Sequence, residues 1–192
     1  ALLVLLVGTG VFYTFQLQFI QVRKFGKGMK LLFGNISFKG NKNEKGLSSF
    51  QALTTSGTVN FPEDYKGNWV LFFSHPSDFT PVCTTEFMTM ASMEEEFRQM
   101  NVALLGLSVD SLYSHIAWIR KIEELEWKGM KNIKINFPVI ADLNTKVSTL
   151  YGMLQPKVSS TQAVRAVFVI DPEGIIRSIT YYPLTTGRNF AE

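Results

Sequence analysis

Two uninterrupted apolar runs, "NWVLFFS" at 68–74 and "VALLGLSVD" at 102–110, restrict the fold of this chain more than any other feature. A strand wetted on one face alternates apolar and polar residues. A run without alternation is covered on both faces, as in parallel sheets sandwiched by helices. Between the two runs, residues 83–100 carry a helical stripe of Phe87, Met90, Ala91, Phe97 and Met100, with Glu94 its one miss. Residues 110–125, "DSLYSHIAWIRKIEEL", predict a second amphipathic helix, capped by Asp110 or Ser111 and striped by Leu112, Ile116, Ile119 and Ile122. His115 on this helix reads as a partly exposed surface or packing residue. "FPVIAD" (137–142) predicts a short strand, and "NTKVSTLYG" (144–152) a short helix ended by Gly152. "AVRAVFVID" and "IIRSITYYP", around the turn "DPEG", predict a hairpin. Strand and helix in alternation, closed by a hairpin, make an α/β sandwich with a mixed central sheet.

The chain has 192 residues, 46% hydrophobic and 18% charged, which suits one globular domain with a real core. The net charge is +3 and the basic residues are scattered. Apart from the short cluster Arg23, Lys24, Lys27 and Lys30, no surface for nucleic acid is expected. Residues 1–22 carry no charge, and the basic cluster follows at once. That length can cross a bilayer as a helix, which would put everything after Arg23 in the cytoplasm. Gln16, Gln18, Gln21, Gly8 and Gly10 weigh against a span, and Met29 reads as a natural start of a separate protein. Residues 1–28 are therefore either a membrane anchor or a non-native extension. The "GTG…FIQVRKFG" pattern resembles the first membrane helix of sodium–alanine symporters. Residues 29–49, rich in Gly, Asn, Ser and Lys from 34 onward, read as a linker, and 50–192 as the folded domain, truncated at its C-terminal end.

Cys83 is the only cysteine. It excludes an internal disulfide and a Cys-x-x-Cys pair, and it favours a reducing compartment. A lone cysteine is usually an inert core residue. This one falls in the first turn of a predicted helix, after the strand ending at Ser74 and the loop "HPSDFTP". Unpaired N–H groups and the helix dipole there favour an anion, and thus a thiolate over a thiol. Pro76 and Pro81 stiffen the loop. Thr80, three residues ahead, can bring its hydroxyl to the sulfur in a turn, or serve as an ordinary N-cap. Arg165 stands inside an apolar strand, a costly place for an arginine without a partner, and a thiolate is a suitable one.

The segment Pro76-Ser77-Asp78-Phe79-Thr80-Pro81-Val82-Cys83 resembles the signature of the peroxiredoxins, specifically their one-cysteine subgroup. "FQALTTSG" (50–57), "FSHPSDFTPVCTTE" (73–86), "LSVDSLYSHIAW" (107–118), "FPVIAD", "VRAVFVIDPEG" (164–174) and "YPLTTGRNF" (182–190) resemble further family blocks in the family's order. The resemblance implies a thioredoxin-like three-layer sandwich. It also implies a thiol-dependent peroxidase that reduces hydrogen peroxide and organic hydroperoxides through a cysteine sulfenic acid, with an antioxidant role in cell redox homeostasis. Cys83 would be the peroxidatic cysteine, Thr80 would hydrogen-bond sulfur and peroxide, and Pro76 would shield the pocket. Arg165 would lie beside the sulfur, with Arg188 supporting the same cluster and Glu86 orienting the arginines. His75 would be accessory. Implied partners are a peroxide, an external thiol reductant and further copies of the chain, as homodimer or larger homo-oligomer, with no cofactor. The implied location is cytoplasmic, with any membrane tether resting on residues 1–22.

Rival chemistries fit less well. No second cysteine resolves a mixed disulfide, no Gly-x-Ser-x-Gly elbow is present, and His75, His115 and Cys83 lack the sequence spacing of metal ligands. The serious alternative is a redox sensor or binding module, in which oxidised Cys83 signals to a partner.

Overall fold

In a computed structural model, residues 2–16 and 47–190 are described. The chain divides into two compact units, Ala1–Glu44 and Lys45–Glu192. Within the first, helix α1 runs Leu2–Gln16. Among the described residues no helix is long and apolar enough to cross a membrane. The rest of the expected 1–22 span, and residues 29–46 of the expected linker, lie outside the described residues.

The second unit is built on a seven-stranded mixed sheet in the order β2-β1-β5-β4-β3-β6-β7. The strands are β1 Phe50–Thr54, β2 Gly57–Phe61, β3 Trp69–Ser74, β4 Val102–Ser108, β5 Val139–Ala141, β6 Arg165–Ile170 and β7 Ile176–Tyr182. The pairs β3–β4 and β4–β5 are parallel, and the remaining pairs are antiparallel. Helices α2 (Pro81–Ser92), α3 (Glu94–Gln99), α4 (Leu112–Glu123) and α5 (Lys146–Leu150) complete it. The β1–β2 hairpin, turned at Thr55 and Ser56, was not among the expected elements.

The unbroken apolar runs have the expected cause. Successive side chains of a strand point to opposite faces. Val70 and Phe72 of β3, with Leu105 and Leu107 of β4, pack with Val147 and Tyr151 at α5. Phe73 and Leu104 join a separate core with Phe87 of α2 and Trp118 and Ile122 of α4. Each run is thus buried from both sides, which makes the sandwich three layers deep.

Two helices depart from expectation. The stretch 83–100 begins two residues early, with Pro81 as first helical residue, where its missing N–H costs nothing. It then breaks at Met93, which closes α2 and opens α3. The break falls next to Glu94, the one miss in the stripe, and leaves Met100 59% exposed. In α4 the N-cap is Ser111, whose side chain accepts from the Ser114 N–H. The fully buried positions are His115, Trp118 and Ile122, while Leu112, Ile116 and Ile119 are half-buried. His115, expected as a partly exposed surface or packing residue, has no exposure at all.

Candidate active site

β3 ends at Ser74, the loop 75–80 follows, and α2 starts at Pro81. Cys83 is the third residue of α2. The first intrahelical bond there is Thr84 N–H to the Thr80 carbonyl at 2.9 Å, so the amides of Val82 and Cys83 lie ahead of the ladder. The register of β6 explains how Arg165 reaches this point from 82 residues away. β6 runs antiparallel to β3 with Phe73 opposite Val167, so its first residue falls beside the last of β3. Ser74 locks that junction, its hydroxyl donating to the Val164 carbonyl at 2.6 Å and accepting from the Ala166 N–H at 3.1 Å.

Arg165 is buried and uses three directions of its guanidinium. Nη1 donates to Cys83 Sγ at 3.3 Å and to Glu86 Oε2 at 2.7 Å, and Nε donates to the Leu184 carbonyl at 3.2 Å. Arg188, also buried, holds the other side of the same carboxylate. Its backbone N–H and Nε donate to Glu86 Oε1 at 2.7 and 3.1 Å, and Nη2 donates to Oε2 at 2.8 Å. Its Nη1 donates to the carbonyls of Ser74 and Ala166, and the guanidinium lies over the rings of Phe73 and Phe190. Gly187 makes this approach possible, because a Cβ there would stand 2.9 Å from Val82 Cγ1. Two guanidiniums around one carboxylate leave one formal positive charge in a buried cluster whose remaining neighbour is Cys83. A thiolate makes it neutral.

Burial by itself would raise the Glu86 carboxyl, but hydrogen bonds from Arg188 and the charges of both arginines outweigh it and hold Glu86 below its ordinary 4.5. A depressed folded value means stability that is fully present above the ordinary value and is lost as pH falls through the folded one. The urea midpoint should therefore decline from about pH 4.5 downward, and Glu86→Gln should flatten that part of the curve. An unchanged acid limb in the variant would refute this.

Thr80 sits at the N-cap position, yet its side chain makes no capping bond. Its hydroxyl donates to the Ser77 carbonyl at 3.1 Å and is not bonded to the sulfur, contrary to the contact that the spacing suggested. Pro76 is buried in the loop. Cys83 itself has no exposure. Cavities lie elsewhere: one of about 290 Å³ beside Asn68, Arg98 and Asn136, one of about 380 Å³ beside Ala91, Glu95 and Asn136, and one of about 470 Å³ beside Tyr151, Ile175 and Tyr181. None of them borders the sulfur.

His75 is fully buried, and its Nε2 lies 2.9 Å from Asp78 Oδ1. His115 Nδ1 lies 2.8 Å from Asp78 Oδ2. These three are the only group among the described residues whose ligand atoms could gather on a metal, all within 4.8 Å of one another. The primary spacing hid this cluster. Atoms sharing one tetrahedral zinc, at about 2.1 Å each, stand about 3.4 Å apart. The observed 2.8–2.9 Å is the spacing of hydrogen bonds.

Against known proteins, the model of the AhpC/TSA family matches residues 45–179, and that of the sodium:alanine symporter family matches residues 1–60. A peroxiredoxin of Methanosarcina mazei is 67% identical over 145 residues, covering 75% of this chain and 66% of the relative. A peroxiredoxin of Aquifex aeolicus is 57% identical over 144 residues, covering 75% and 63%. The chain thus spans just under two thirds of the length of these relatives. Among solved structures, a yeast mitochondrial 1-Cys peroxiredoxin superposes with a TM-score of 0.66 at 42% identity, covering 75% of this chain and 68% of the other. A cysteine-to-serine mutant of peroxiredoxin 6 from Arenicola marina gives 0.66 at 32%, covering 76% and 66%. The α/β sandwich is accordingly the thioredoxin-like one.

Proposed function

This chain belongs to the AhpC/TSA family, the peroxiredoxins, and from that premise we propose that its unit 45–192 is a thiol-dependent peroxidase acting through Cys83. The observation that carries the reading is Arg165 Nη1 at 3.3 Å from the sole cysteine, inside a charge cluster that the thiolate completes. The thiolate attacks one peroxide oxygen, the O–O bond breaks, and sulfur keeps that oxygen as sulfenic acid. The other oxygen leaves as hydroxide or alkoxide and takes a proton to become water or an alcohol. One external thiol then condenses with the sulfenic acid, releasing water and leaving a mixed disulfide. A second thiol displaces Cys83 and restores it.

In this scheme Arg165 and the free amides at the start of α2 stabilise charge on the departing oxygen. Pro76 excludes water. Thr80 keeps hydroxyl lone pairs available for the peroxide while its proton is held by Ser77. Arg188 and Glu86 orient Arg165 without touching the sulfur. The yeast relative is resolved via glutathione/thioredoxin systems, and we propose a reductant of that class here. Ile179 and Tyr181, exposed on the edge strand β7, and Ile175 just before it support association with a second copy.

Turnover separates this reading from the redox sensor. With excess hydrogen peroxide and dithiothreitol, a peroxidase consumes many equivalents per Cys83. Consumption that stops at one equivalent would favour the sensor.

A further inference from the structure

The buried cluster beneath the loop 75–80 has a proton count that its geometry fixes. His115 Nε2 lies 3.1 Å from the Ile140 carbonyl, which can only accept, so that nitrogen carries a hydrogen. Its Nδ1 faces both carboxylate oxygens of Asp78, at 3.0 and 2.8 Å. An ionised carboxylate can also only accept, so Nδ1 needs a hydrogen as well. Asp78 accepts a further bond from His75 Nε2 at 2.9 Å. Burial alone would raise the Asp78 carboxyl, but the hydrogen bonds from His115 and His75 hold it well below the usual carboxylate range.

We propose that His115 is a buried imidazolium, paired with Asp78, that positions the loop bearing Pro76 and Thr80. His75 is then the neutral member, with its hydrogen on Nε2 and an unshared lone pair on Nδ1. That assignment agrees with burial pushing His75 below its ordinary value against the pull of Asp78. It also agrees with His75 Nδ1 being buried without a hydrogen-bond partner. One positive and one negative charge leave the cluster neutral. The groups facing His115 are Asp78 and His75 from the loop and the Ile140 carbonyl from β5. Asp110 stands behind them, its Oδ2 accepting from the Asp78 N–H at 3.0 Å and the Ser108 hydroxyl at 2.7 Å. Through these contacts His115 on α4 fixes Asp78 two residues before Thr80. The positioning role rests on the peroxidase reading, whereas the protonation state does not.

With only two histidines in the chain, long-range proton–nitrogen NMR of the imidazole rings tests this on the unaltered protein. At about pH 8 an unperturbed imidazole is almost wholly neutral. The expected spectrum shows one ring with two protonated nitrogens, His115, and one with a single protonated nitrogen, His75. In Asp78→Asn the amide can donate to His115 Nδ1, so that nitrogen should lose its hydrogen while His75 keeps its pattern. A His115 ring with one bare nitrogen in the unaltered protein would place the proton on Asp78 and overturn the proposal. So would displacement of the ring protons by added zinc, which would make the cluster a metal site. For the positioning role, His115→Gln should slow oxidation of Cys83 by peroxide about tenfold, and adding Asp78→Asn should restore most of it. A double variant no faster than the single one would overturn that role even with the imidazolium in place.

Discussion

Arg165→Ala should slow the reaction of Cys83 with hydrogen peroxide by about 10²- to 10³-fold, the loss typical of removing one donor from a developing oxyanion. The same variant should slow alkylation by iodoacetamide far less, within about tenfold. Alkylation needs the thiolate alone, whereas peroxide reduction also needs two oxygens held in line and charge stabilised on the departing one. In the proposed reaction Arg165 serves the second need, because Glu86 and the Leu184 carbonyl fix the plane of its guanidinium against the sulfur. The variant should fold, since Glu86 keeps its bonds to Arg188. Arg165→Lys should fall between, because an ammonium cannot hold three partners in a fixed fork. Equal losses in both rates would mean that Arg165 acts only on the thiol.

Glu86→Ala should cost about 3–5 kcal/mol of stability, the penalty for leaving buried charge without its partner. Arg165 and Arg188 are 3% and 7% exposed, and Glu86 is the only carboxylate that either one contacts among the described residues. Urea unfolding reads the loss directly. A change under about 1 kcal/mol would mean that the guanidiniums find water or a counter-ion, and that Glu86 does not organise the cluster.

How far the sequence could be read depended on the range of the forces involved. The strands at 68–74 and 102–110 were legible because burial on both faces leaves a continuous apolar signature. Cys83 at a helix mouth and Arg165 in an apolar strand were legible because each is costly or idle without a partner. What escaped is non-local. His115 is buried because Asp78, 37 residues earlier, and the Ile140 carbonyl satisfy both ring nitrogens, and no periodicity reports that. Its burial turns the inner face of α4 toward Trp118 and Ile122 and leaves Leu112, Ile116 and Ile119 of the apolar stripe half-buried. The Thr80 hydroxyl could reach either the sulfur or the Ser77 carbonyl, and spacing does not choose between them. Gly187 gave no sign of its role, which lies in a close passage over Val82 that only the folded chain creates.

The most direct test of the central claim is the mass of the Cys83 peptide after one equivalent of hydrogen peroxide, before and after a small thiol is added. The account predicts gain of a single oxygen on that peptide, its removal by the thiol, and no such cycle in Cys83→Ser. Oxygen appearing on methionine peptides while Cys83 stays reduced would contradict it.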